Sequence, residues 1–90
     1  MKQARIEVFG KVQGVGFRKF VERNAYEYGV RGTTCNTPGG SVLTVVQGSD
    51  DDLNGFIQTI IKGNAYSRVE SHTVEFSTMT ELYHGFRVVR

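Results

Sequence analysis

Two stretches of this chain carry apolar residues at three- and four-residue spacing, on one face only. Phe17, Phe20, Val21, Ala25 and Tyr28 make the first stripe, and Leu53, Phe56, Ile57, Ile60 and Ile61 the second. A helix of that kind has to bury its apolar face against another layer. Gly29 suits the stop of the first helix. Ser49 caps the second, Asp50, Asp51 and Asp52 put acids on the positive end of its dipole, and Lys62-Gly63 closes it.

The segments between and around the helices supply the covering layer. Arg5 to Phe9 alternates, with Ile6 and Val8 on one side, as a half-buried strand does. Val30 to Asn36 is short and rich in Val and Thr, Thr37-Pro38-Gly39-Gly40 is a turn, and Val42 to Val46 is the most β-prone run. The pair forms a hairpin. Arg68 to Phe76 and Phe86 to Val89 add two more strands. The order is β-α-β-β-α-β with an extra terminal strand. It predicts an α+β, ferredoxin-like βαββαβ sandwich, two helices on one face of a four- to five-stranded, mostly antiparallel sheet.

Length agrees with one such layer pair. The 90 residues are expected to form a single domain, 1–90. Area scaling gives about 5,300 Å² folded against about 14,600 Å² unfolded, and roughly 64% burial supports one core without metal or disulfides. The single cysteine, Cys35, excludes a disulfide framework and a Cys-rich zinc site. No apolar run approaches about 18 residues, so no membrane span is expected. Met1 to Arg5 leads into a strand pattern rather than a secretory apolar core, and the expected location is the cytoplasm. Nothing in the sequence asks for more than a monomer. The fold alone hosts many activities, so function has to come from a site.

Charge narrows where that site is. The net charge is +2, but residues 1–31 hold seven cationic and three anionic side chains, a surplus of +4 that leaves −2 elsewhere. A local anion site in the first third fits this better than a broad nucleic-acid surface. The segment Gly10-Lys11-Val12-Gln13-Gly14-Val15-Gly16-Phe17-Arg18 joins a strand to a helix. Its glycines let backbone N–H groups curl around an anion, and the helix start adds unpaired N–H groups and a dipole aimed at the same place. Arg18 adds a fork matched to two phosphate oxygens. Each charge-assisted bond is worth about 1.5–3 kcal/mol and the dipole about 0.3–1 kcal/mol. The spacing fits neither a Walker A loop nor a dinucleotide fingerprint. The same glycines would also serve a turn that only lets helix and strand pack closely. Asn36 is likewise open to two roles: capping the hairpin turn, or holding a water through its carboxamide.

Gly10 to Arg18, followed 18 residues after Arg18 by Asn36-Thr37, resembles the acylphosphatases, and the resemblance extends through Gln47-Gly48 to Phe86-Arg87. It implies metal-free hydrolysis of acyl phosphates, with no cofactor and no covalent intermediate. The amides of Gly14, Val15, Gly16, Phe17 and Arg18 would hold the phosphoryl oxygens, the Arg18 guanidinium would be the main ligand, and Asn36 would orient the attacking water. Its partners would be small acyl phosphates, with phosphate as product and inhibitor. The division of labour is chemically sound, because the leaving carboxylate needs little acid help and what remains is positioning and charge neutralisation. This chain departs from the common pattern in the Gly39-Gly40 turn and in Asn64-Ala65, where a Gly-Pro step is usual. Cys35-Asn36 resembles the acylphosphatase-like domain of the longer hydrogenase-maturation proteins that handle carbamoyl phosphate. The alternative reading is a non-catalytic phosphate- or carbamoyl-phosphate-binding relative of the same fold.

Other residues invite blander roles. Cys35 is expected to be a buried, inert thiol on the strand face opposite Asn36. His72 and His84 lack companion ligands, and helix capping accounts for Asp50 to Asp52. Lys11 and Lys19 either steer anions or are simply solvated, while Arg5, Arg23 and Arg87 are expected at the surface. Gly16 to Val21 has a passing likeness to an aromatic RNA-binding motif, but it opens a helix, and Val42 to Val46 carries no aromatic residue. Nucleic acid and membrane are not expected partners. A copper carrier would need paired cysteines.

Overall fold

The computed structural model describes residues 1–79 and 81–89. Among these, five strands and two helices follow in the order β1 (Lys2–Lys11), α1 (Phe17–Tyr28), β2 (Arg31–Asn36), β3 (Val42–Gly48), α2 (Asp50–Lys62), β4 (Arg68–Ser77) and β5 (Phe86–Val89). The strands form one sheet in the order β4-β1-β3-β2-β5. Neighbours are antiparallel except at β2–β5, which is parallel. The expected α+β, ferredoxin-like sandwich is the fold, and the extra terminal strand is its fifth.

Both helices lie on one face of the sheet and bury their stripes against it. Phe17, Val21 and Ala25 of α1 and Leu53, Phe56, Ile57 and Ile60 of α2 meet Ala4, Ile6 and Val8 of β1 and Val42 and Val46 of β3. Phe20, Tyr28 and Ile61 are only partly buried and flank that core. Two threonines sit within the apolar layer without cost to the fold. Thr34 and Thr44 are opposite each other in the β2–β3 register and share a hydroxyl hydrogen bond of 2.9 Å.

Element ends differ from the periodicity: β2 starts at Arg31, β3 and β4 run on to Gly48 and Ser77, and β1 departs most. β1 is 10 residues long, extending both ways beyond the alternating Arg5 to Phe9. At its start Lys2 and Gln3 pair with Gly48 and Gln47, and at its end Gly10 and Lys11 pair with Val69 and Arg68 past a bulge at Phe9/Gly10. Cys35 is also corrected: it is half-buried, because β2 turns it to the sheet face that no helix covers.

Candidate active site

The two helices begin in opposite ways. At α2 the Ser49 hydroxyl accepts from the Asp52 N–H (3.2 Å), and three aspartates occupy the first turn. At α1 the N-cap is Gly16, with no side-chain cap and no acid in the first turn. Its leading N–H groups and positive dipole end are therefore left open.

The path into α1 depends on left-handed backbone. Gly14 and Gly16 both have φ of 73°, yet a Cβ at either would meet nothing within 4 Å. Glycine is needed here for its conformation rather than for clearance inside the protein, and the open space lies on the approach side. Gly10 differs. It belongs to β1 at the bulge, where a Cβ would strike the Arg68 carbonyl oxygen, so it is a packing glycine outside the loop.

An open cleft of about 990 Å³ lies over this loop. Gly14, Gly16, Phe17, Arg18, Lys19 and Glu22 form one side of it, and Asn36 comes from the end of β2. Val15 does not line it. Its side chain packs against the core, so what it can offer an anion is its N–H. Arg18 has no carboxylate partner among the described residues. The one ion pair found there, Lys2 Nζ to Asp50 Oδ1 at 3.2 Å, is on the exposed surface. Asn36 is half-buried, and its Oδ1 is enclosed without a hydrogen-bond partner. An enclosed acceptor without a donor costs stability, and this one shares its cleft with the Arg18 guanidinium.

Several side chains that the sequence left without a role hold this arrangement. Gln13 Nε2 donates to the carbonyls of Thr37 (2.9 Å) and Ser41 (2.8 Å), tying the loop to the β2–β3 turn directly after Asn36. The turn is braced from below. Ser41 Oγ donates to Glu7 Oε2 (2.5 Å) and bonds Thr37 Oγ1 (2.6 Å). Lys19 lines the cleft while Lys11 is exposed in β1. Arg87, expected as an ordinary surface charge, is exposed but also lines the cleft between Phe86 and Val88. The parallel addition of β5 beside β2 brings it there, and no short-range pattern announces that pairing. With Arg18, Lys19 and Arg87 against Glu22, the cleft is net cationic.

This chain matches the Acylphosphatase family over residues 4–88. It is similar to the acylphosphatase of Staphylococcus aureus, 39% identical over 90 residues that cover 99% of this chain and 100% of that one. It is 37% identical over 89 residues to the acylphosphatase of Salinibacter ruber, covering 99% of this chain and 94% of the other. The crystal structure of acylphosphatase from Bacillus subtilis superposes with a TM-score of 0.96 at 36% identity, each chain covered in full.

Proposed function

The chain belongs to the acylphosphatase family, whose activity is the hydrolysis of acyl phosphates, and from that premise we propose how its own residues carry the reaction. The phosphoryl group sits in the loop of residues 14–18, against the open N–H groups of α1, with the Arg18 guanidinium bridging two of its oxygens. Asn36 Oδ1 accepts a hydrogen bond from a water and holds it in line with the bond that breaks. The water oxygen bonds to phosphorus as the bond between phosphorus and the acyl oxygen opens. The electron pair leaves on the carboxylate, and the water's proton passes to solvent. A carboxylate is a weak base, so the step needs no strong general acid, and the protein's work is positioning and neutralising charge. On this proposal neither metal nor cofactor takes part.

The observation that carries this proposal is the enclosed, unpartnered Asn36 Oδ1 sharing one cleft with an unpaired Arg18. The test is hydrolysis of benzoyl phosphate in the presence of EDTA, with inorganic phosphate as competitor. Turnover that EDTA leaves unchanged and phosphate inhibits is expected. If phosphate raises the melting temperature but no turnover occurs, the chain is a binding relative. If neither occurs, the loop is a packing turn.

A further inference from the structure

The α2–β4 connection reaches the anion loop at a point outside the cleft. Asn64 Nδ2 donates to the Val15 carbonyl at 3.3 Å. Asn64 is itself fixed by Ser67, whose Oγ accepts from the Asn64 N–H (2.9 Å) and donates to the Asn64 carbonyl (3.2 Å). The Ser67 N–H closes the same turn on that carbonyl at 3.3 Å. The Asn64 Oδ1, by contrast, is enclosed with no partner. Of the carboxamide's two donors and its oxygen, the one bond made runs to the loop.

We propose that Asn64 is a positioning residue that fixes the direction of the Val15–Gly16 peptide, and so decides which of its two polar groups faces the phosphoryl group. No described peptide is cis, and in a trans peptide the C=O and N–H point in opposite directions. Drawing the Val15 carbonyl to Asn64 sends the Gly16 N–H the other way, and it is Gly16, not Val15, that lines the cleft. Without that tie the peptide is easy to turn over. Rotation turns Val15 ψ and Gly16 φ together, and at Gly16 it exchanges a positive φ for a negative one, both of which glycine accepts. Turned over, the peptide would aim a carbonyl oxygen at an anion. The inference rests on the proposed function, because it concerns how the cleft receives phosphate.

The test uses the full chain, labelled with nitrogen-15 and titrated with inorganic phosphate, beside KM and kcat for benzoyl phosphate. Wild type should show a phosphate-dependent shift of the Gly16 amide. Asn64→Ala should weaken phosphate binding and raise KM about 3- to 10-fold, change kcat less, and shrink the Gly16 shift. Asn64→Asp keeps the side chain's shape but removes the donor, and should do at least as much. It also serves if the alanine variant does not fold. If wild type binds phosphate and both folded variants bind it within about twofold with the same Gly16 shift, the inference is overturned while the proposed function stands. A lower melting temperature alone, with binding and shift intact, overturns it equally, since Asn64 would then only stabilise its own loop. Wild type that neither binds phosphate nor hydrolyses benzoyl phosphate removes both.

Discussion

Arg18 and Asn36 enter the cleft from different elements, one in the first turn of α1 and the other at the last position of β2, and the proposed mechanism gives them separable tasks. Replacing Arg18 with Ala removes the anion's main ligand, so turnover should fall about 10²–10³-fold and phosphate should no longer protect against heat. Asn36→Ala should lose at least about 10²-fold in kcat while inhibition by phosphate stays near that of wild type. Parallel loss of binding and turnover in the Asn36 variant would remove its assignment to the water. At this scale the glycines of residues 10–16 mark an unusual backbone ahead of Arg18, whereas Asn36 reads equally well as a turn residue, and only the family resemblance joins the two. The roles of Gln13 and Asn64 were not legible. Their partners are the carbonyls of Thr37, Ser41 and Val15, and nothing about a carbonyl in the sequence shows which side chain will find it.

At the scale of elements, the helices and the hairpin were visible because apolar spacing, caps and turn residues act over a few positions. The approach to β5 was not, because it is set by a buried side chain far away in sequence. Gln47 of β3 is fully buried. Its Nε2 donates to the Glu81 carbonyl (2.6 Å) and to Gln3 Oε1 (2.9 Å), while its Oε1 accepts from the Tyr83 N–H (3.1 Å). That clamp delivers the chain to the edge of β2, where β5 can bring Phe86, Arg87 and Val88 to the cleft. Burial, and then the Glu81 carboxylate, push the Tyr83 phenol above its ordinary value of 10.0. The folded state thus favours the neutral phenol. Its contribution to stability is complete below pH 10.0 and is lost as pH rises through the higher folded value. Urea midpoints measured from pH 9 to 11 should fall more steeply for wild type than for Tyr83→Phe. Equal slopes would mean that the phenol ionises alike in both states.

The molecule as a whole has one apolar core, and its folded surface of 5474 Å² is close to the area expected for its mass. Phe56 is fully buried at the centre of that core and meets the edge of Phe86, ring centroids 6.3 Å apart. Phe56→Ala should cost about 3–5 kcal/mol, a large share of the roughly 5–15 kcal/mol that holds a domain folded. Chemical denaturation measures it, and a loss below about 1 kcal/mol would show that the core closes over the gap. Because Phe86 also lines the cleft, the loss should reach the site as well. The uncapped start of α1 has a different consequence for the whole chain. The helix lacks at its first turn what Ser49 supplies to α2, and a bound phosphate would serve as that missing cap. Occupancy and folding then become one linked quantity: at phosphate a hundred times its dissociation constant the native state should gain about 2.7 kcal/mol. On the proposed function, a protein assembled this way would be at its firmest while holding its own product.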